Sequence, residues 1–441
     1  LEAGPSILVM TSGNRSEEPI AREDTAARER LAGIADAFLS HDREIHTRAD
    51  DSVVRIVAGE PQPVRRSRGY VAEGIALPFE GPPLVAVGPQ LKNTVCLVRG
   101  GEAFLGPHVG DLDGVEARAF FEEVIEKMSR LLGVRPEAVA HDLHPDYAST
   151  RWALESGLPR VGIQHHHAHV VSCLVDAGAT PTGPVIGVAF DGTGCGPAGD
   201  LWGGEFLLFD WRGFERRGHL RPVALAGGEA AIREPWRLAL AALGDAGVPE
   251  QPLLGSVPGA RRARVAGLLD RAVRATGAGR WFDVAAALCG FTGAISYEGQ
   301  AAIELEALAA NVHEPYAFEL SGAPFAVDLR PTVRAMAGEL VAGRPASEVA
   351  GKFHETMARV VVAGCQRIRE VSDVRTVALS GGCFQNRRLS ERSLALLRSD
   401  GFDVHQHRRV PPNDGGVSLG QAAIAAARLG VKGHHVSRHS R

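Results

Sequence analysis

Four imidazoles fall within five positions, His165, His166, His167 and His169 of "QHHHAH", in a chain with 17 histidines in 441 residues. On a helix, at about 100° per residue, His165 and His169 lie about 40° apart and His166 about 60° from His169, while His167 points away. An i,i+4 pair can offer two ring nitrogens to one cation, as HExxH helices do, but no glutamate stands between these two, which excludes that protease pattern. The same run also reads as the polar first turn of a helix capped by Gln164. A cation would need anionic ligands as well, and Asp191 and Asp414 are the available strand-end carboxylates. Asp142 and Asp146 of "HDLHPD" are weaker candidates, because N–H groups of their own loop could satisfy them.

Three glycine loops accompany the histidines. "FDGTGCG" (190–196) sits between two expected strands, whereas "SGGCFQN" (380–386) and "NDGGVSLG" (413–420) each follow a strand and open a helix. Such glycines let backbone N–H groups approach phosphate oxygens, and a helix N-terminus adds a favourable dipole. One loop alone usually only turns the chain. Three together, two of them with an acid at the strand end, point to a nucleotide or phosphoanhydride site. No GxxxxGK[ST] loop occurs, and none of the three has the context of a dinucleotide fold. Cys195 and Cys383, inside these loops, read as small packing residues, since neither has a histidine next to it in sequence. Lys92, one of four lysines among 48 basic residues, reads as an exposed hairpin lysine in preference to a phosphate ligand.

The elements that must position these groups follow from the hydrophobic pattern. A first segment carries a strand (6–10), a polar loop, a helix (about 21–33) and the strand-like "DDSVVRIV". "ALPFEGPPL" is proline-rich and reads as a linker. "LVAVGPQLKNTVCLVRGGEAFLG" is a three-strand meander, followed by a helix over about 114–132 and two strand–helix units, the second opened by the histidines. The meander recurs at 185–210. A mainly helical stretch (224–330) follows, and then two more strand–helix units. Two such copies describe a duplicated α/β architecture with a cleft between its lobes.

Composition bounds the function. The length predicts two or three folding units. A net charge of −4, from 48 basic and 52 acidic residues, argues against a protein built to grip a nucleic-acid backbone. No apolar stretch reaches the roughly 18 residues of a membrane span. Six scattered cysteines without a CxxC read as reduced thiols in a cytoplasmic protein. The chain opens on "LEAGPSILVMTSGN", with neither a Met nor a signal-peptide pattern and with a core-like strand that no earlier strand could pair. The expectation is a chain that begins inside a domain.

The motifs "MTSGNRSEEPI", "DDSVVR", "RRSRGYV", "VGPQLKNTVCL", "HVGDLD", "AHDLHPDY", "QHHHAH", "FDGTGCG", "LWGGEF", "REPWR", "SYEGQAAIELEALA", "ALSGGCFQN" and "PPNDGG" run in one order along nearly the whole chain. In that order they resemble the HypF family, carbamoyltransferases of nickel–iron hydrogenase maturation. The resemblance implies a partial YrdC-like domain (1–75), a linker (76–83), a Kae1-like domain (84–430) of the duplicated ASKHA (actin/Hsp70/sugar-kinase) fold, and a tail (431–441). It implies that carbamoyl phosphate and ATP, with magnesium, yield carbamoyl adenylate in the YrdC-like part. The Kae1-like part then passes the carbamoyl group to the C-terminal cysteine of HypE. His165, His169, Asp191 and Asp414 match positions at one transition metal, iron or zinc, with the first three also catalytic. Gly192, Gly194, Gly381, Gly382, Asn386, Glu298 and Gln300 match nucleotide-side positions, and Ser12, Asn14, Arg66 and Arg68 match positions around the adenylate. The family's acylphosphatase-like domain, paired CxxC fingers and first half of the YrdC-like domain have no counterpart in these motifs. The rivals are an O-carbamoyltransferase acting on a small hydroxyl compound, a tRNA threonylcarbamoyl transferase, and a kinase or ATPase of the same fold.

Overall fold

Short runs of Val, Leu, Ala and Phe, too short for helices, build two sheets on one plan. The computed structural model describes residues 7–430 except 9, 16, 17 and 72, so the expected tail (431–441) lies outside the described residues. In the first lobe, Leu84–Ala86, Cys96–Arg99 and Glu102–Leu105 form an antiparallel meander. Ala138–Asp142 then pairs in parallel with Leu84–Ala86, and Arg160–Ile163 pairs beyond it. The second lobe repeats this. Val185–Cys195, Leu201–Phe209 and Phe214–Leu220 form the meander, Thr376–Ser380 pairs in parallel with Val185–Cys195, and Asp403–His405 adds the fifth strand. Numbered within each lobe, both sheets run 3-2-1-4-5, which is the duplicated ASKHA architecture. Leu84–Ala86 is buried throughout, as a central strand with both faces covered must be.

Each lobe ends in a helix, His165–Asp176 or Val417–Leu429, and the two helices pack against each other between the sheets. Their crossing is close enough that a Cβ on Gly420 would stand 1.9 Å from the Ala168 carbonyl oxygen. Glycine is required there by space. Because both helices point their N-termini toward the inter-lobe cleft, residues 249 positions apart in the chain, His165 and Asp414, begin neighbouring elements. The regular structure of 224–330 is mostly helical, as expected, but it also holds a hairpin, Glu319–Gly322 with Phe325–Asp328, that the pattern did not predict. A long helix, Ala346–Ser372, leads back to the fourth strand.

Two boundaries differ from the sequence pattern. Gly74–Ala76 is a strand beside Glu102–Leu105, with Leu77 buried and Phe79 against Trp211. The start of the expected linker is therefore tied to the first lobe's sheet. In the first segment the helix is shorter than expected, Asp24–Leu31. Residues 7, 8 and 10 of the expected strand 6–10 are irregular, whereas Ser6 and Val9 lie outside the described residues. A strand exists only by pairing, and among the described residues none pairs with this run. Val53–Val57 and Glu60–Arg65 form a hairpin. The segment docks on the first lobe through Arg22 and Arg48 on Glu123, and on the second through Arg55 on Glu306 and the Asn413 amide on the Val64 carbonyl. Among the described residues no helix is long and apolar enough to cross a membrane.

Candidate functional site

The histidine helix starts where its strand ends. Gln164 is extended, and its side-chain oxygen accepts the His167 N–H, which caps the first turn. All twelve helix residues are buried, so the four imidazoles do not form a solvated polar turn. His167 points away from the cleft, as the helical wheel predicts. Its Nε2 meets the Asp210 carbonyl at 2.9 Å, and its ring packs beside Phe209 and Phe214. His166 packs beside Trp202, with Nδ1 2.9 Å from the Gln164 amide.

His165 and His169 turn their Nε2 atoms toward Asp191 and Asp414. The four nitrogen–oxygen separations are 3.4 and 3.5 Å from His165 and 3.3 and 3.4 Å from His169. Neither Nε2 atom has a hydrogen-bond partner, and the four ligand atoms lie within 4.8 Å of one another. Ligands held tetrahedrally at about 2.0–2.1 Å from one cation would stand about 3.3–3.4 Å apart. The donor set therefore fits a first-row transition metal, and imidazole with carboxylate suits iron or zinc. The electrostatics agree. Burial alone would lower both histidine pKa values, but the carboxylates outweigh it; His165 is held well above its ordinary value and His169 above. Burial would likewise raise Asp191 and Asp414, yet the histidines pull both below the usual carboxylate range. A buried anion, Asp191, and a partly buried one, Asp414, facing one point call for positive charge between them.

Supporting contacts separate the remaining acids. Asp142 stands outside the cluster: one of its oxygens accepts the His144 N–H, and the other lies 2.8 Å from His165 Nδ1. It fixes the ring from behind, leaving Nε2 free to ligate. Asp146 is exposed and pairs with Arg151 at the surface. Gly194 sits against the histidines, since a Cβ there would lie 2.7 Å from His166 and 2.8 Å from His165. The missing Cβ at Gly194 therefore gives the rings clearance.

A cavity of ≈ 220 Å³ opens in front of the cluster, lined by Asp191, Gly192, Arg280, Asp283, Gly382 and Asp414 among others. Gly381 and Gly382 were expected to turn their N–H groups to phosphate. Instead the Gly381 N–H donates to the Pro412 carbonyl at 2.9 Å and the Gly382 N–H to Asp191 at 3.2 Å. The loop thus aims a carboxylate. Gly381 is glycine because φ is +101° and a Cβ would strike the Phe190 backbone. Asn386 lines the cavity but also caps the helix Arg387–Ser399, accepting from the Leu389 N–H while its amide faces His354. Glu298 lines the cavity and pairs with Lys92. Gln300 stands off the lining, bonded to Ser296 and Glu304. A wider groove of ≈ 710 Å³ next to the cavity holds no cluster residue and is walled largely by paired charges such as Arg392–Glu355.

Three residues were passed over or read differently in the sequence. Arg280 and Asp283, 3.2 Å apart, are buried beside Gly192, and burial pushes Asp283 up to about 6 despite the arginine. Their signal was there to read, as a charged i,i+3 pair in the otherwise apolar "AGRWFDVAAAL". Lys92, taken for an exposed hairpin residue, lines the cavity and also a second one of ≈ 260 Å³ against the first segment. Of the four first-segment residues, Asn14 alone lines that second cavity. Ser12 is exposed and bonded to Asn14, Arg68 is exposed near Asp51, and Arg66 is buried with its guanidinium on the Leu105 and Tyr70 carbonyls. Arg66 ties the segment to the first lobe, a structural role.

Comparison with known proteins places these features. Residues 80–176 match the model of the HypF Kae1-like domain, and residues 187–421 match that of its second subdomain, described as carbamoyltransferase, Kae1-like domain. Residues 1–67 match a YrdC-type model described as telomere recombination. Carbamoyltransferase HypF2 of Cupriavidus necator is 42% identical over 96% of this chain, which spans 56% of that relative's length. A HypF homolog from the same organism is 38% identical over 78% of this chain and 91% of its own. The crystal structure of a full-length HypF in phosphate- and nucleotide-bound form superposes with a TM-score of 0.91 at 39% identity, covering 96% of this chain and 68% of that one.

Proposed function

This chain belongs to the HypF carbamoyltransferase family, and on that premise we propose that it moves a carbamoyl group from carbamoyl adenylate to the C-terminal cysteine thiol of HypE, toward the cyanide ligands of nickel–iron hydrogenase. The observation that carries the reading is the meeting of two histidines and two aspartates at one point, beside a cavity lined by Asp191 and Asp414 together with Gly192, Arg280 and Asp283. Carbamoyl phosphate and ATP, with magnesium, are the proposed sources of the adenylate. The nucleotide in the solved HypF supports that class of ligand. The six free thiols favour a cytoplasmic setting.

Carbamoyl adenylate is a mixed anhydride. Attack by the acceptor sulfur forms a C–S bond and breaks the C–O bond to AMP, which leaves with the electron pair while the thiol proton passes to water. His165, His169, Asp191 and Asp414 would hold the metal, which supplies Lewis-acid stabilisation of developing oxyanion charge when bound. Arg280, paired with Asp283, would present its guanidinium to the adenylate phosphate beside Gly192, and Lys92, paired with Glu298, would add a second cation at the rim. The Gly382 N–H holds Asp191 in its orientation throughout.

No internal cysteine is needed. Burial holds the Cys383 thiol well above its ordinary pKa, with Asp191 adding to the effect, and burial likewise raises Cys195. A thiol kept protonated is a poor nucleophile. Cys195→Ala and Cys383→Ala are therefore expected to retain most of the transfer rate, and loss of transfer in either folded variant would argue for a covalent intermediate. The function itself is tested by incubating the chain with carbamoyl adenylate and HypE and measuring the mass of the acceptor's C-terminal peptide. A carbamoyl gain on its cysteine is expected. Labelling of a small hydroxyl compound in place of HypE would overturn the acceptor assignment.

A further inference from the structure

Behind the cluster, its two histidines are held by different groups at matching places in the duplicated fold. Asp142 ends the fourth strand of the first lobe, and Ser380 ends the fourth strand of the second. Asp142 meets His165 Nδ1 at 2.8 Å, and Ser380 Oγ faces His169 Nδ1 at 3.5 Å. A carboxylate only accepts, so Asp142 by itself sets His165 as the Nδ1–H tautomer. A hydroxyl both donates and accepts, so Ser380 fixes nothing until its own proton is placed.

His407 places it. Its Nε2 lies 2.9 Å from Ser380 Oγ, nearer than the Pro412 carbonyl at 3.5 Å. On its other side, His407 Nδ1 faces Asp176 at 3.5 Å. Asp176 accepts the backbone N–H groups of Arg408, Arg409 and Val410, which hold it as an anion turned toward that ring. The field of this carboxylate favours the proton on Nδ1 of His407, leaving Nε2 to accept the Ser380 O–H. The serine lone pair then accepts the His169 Nδ1–H, and the His169 Nε2 lone pair is left facing Asp191 and Asp414. Ser380, His407, His169 and Asp176 are all at most 3% exposed, so bulk water does not compete for these protons.

We infer that Ser380 and His407 are positioning residues that fix His169 as a metal ligand, the second lobe's counterpart of Asp142 acting on His165. The inference rests on reading the cluster as a metal site, and it adds that the duplication supplies an orienting group from each lobe. Neither residue touches the ion or the substrate. Their effect reaches the site through the tautomer and aim of one ring.

The test is cobalt(II) binding by the full chain, measured by competition with a chromophoric chelator together with the visible d–d band of the bound ion. Ser380→Ala and His407→Leu are each expected to weaken cobalt(II) binding about 10–100-fold and to shift the band. His407→Gln, whose amide oxygen can accept the serine proton near the former Nε2, is expected to recover most of both. Circular dichroism of each variant identifies any that has not folded, and His407→Gln then carries the comparison with Ser380→Ala. Parent-like affinity and band in folded Ser380→Ala and His407→Leu would overturn the inference. So would equal weakening by His407→Gln and His407→Leu with Ser380→Ala unaffected. Undiminished cobalt(II) binding in His165→Ala and His169→Ala would instead overturn the metal reading itself.

Discussion

His165→Ala and His169→Ala are each expected to take the bound transition metal of the purified chain from stoichiometric to trace levels, measured by inductively coupled plasma mass spectrometry. Each change removes one of the two nitrogen donors and leaves the buried Asp191 and the partly buried Asp414 facing each other. The loss should exceed the about 10–100-fold that an outer-sphere partner costs, because a direct ligand disappears. His167→Ala is the control. It removes a ring held between aromatic side chains and a backbone carbonyl, so it should lower thermal stability and leave the metal in place. A second readout needs no transfer assay. Metal bound only to the folded state stabilises it by about 4 kcal/mol at a thousandfold excess over Kd. A chelator should therefore lower the Tm of the parent and of His167→Ala, but not that of His165→Ala. Metal retained at parent levels in both ligand variants would leave the histidines as buried packing groups and remove the basis of the proposed site.

Gly420→Ala should damage both stability and metal binding, although it adds one methyl group to a helix, where alanine is normally preferred. The new Cβ would lie 1.9 Å from the Ala168 carbonyl oxygen and 2.9 Å from the Ala168 Cα, both backbone atoms in a fixed helix. Relief requires the two central helices to separate. Overpacking of this kind costs about 1–3 kcal/mol, and contact with backbone favours the upper end. Those helices carry His165 and His169 on one side and follow Asp414 on the other, so separation also widens the ligand set. The expected result is a lower Tm with weakened metal binding. Gly338→Ala provides the contrast. Gly338 is an exposed helical glycine with nothing within 4 Å of the added carbon, and the change should gain about 0.5–1 kcal/mol from helix propensity. Equal stability of Gly420→Ala and the parent would mean that the helices do not cross as closely as described.

What the sequence determined by itself was local and periodic. The i,i+4 spacing put His165 and His169 on one face and turned His167 away. The repeated meander foretold a duplicated fold, and Asp191 and Asp414 of the glycine loops stood out as candidate ligands. Neither ends a strand as expected: Asp191 lies within the strand Val185–Cys195, and Asp414 opens a turn well beyond Asp403–His405. Each of these depends on a few neighbouring residues, so a pattern in the chain is enough to show it. The tertiary structure decided what depends on residues far apart in the chain. It gave the N–H groups of Gly381 and Gly382 to the Pro412 carbonyl and the Asp191 carboxylate and set Gly194 against the histidine rings, because those partners come from other parts of the chain. It drew Lys92 and the Arg280–Asp283 pair into the cleft and left Gln300, Ser12 and Arg68 off it. It also set Asp142 and Ser380 at matching strand ends behind the two histidines. The candidate ligands could be named from the chain, through residue type, helical period and the family resemblance together. Their support could not, because its bonds join separate elements, Asp142 to His165 across 23 positions, Gly382 to Asp191 across 191 and Ser380 to His169 across 211, and exist only once the chain has folded.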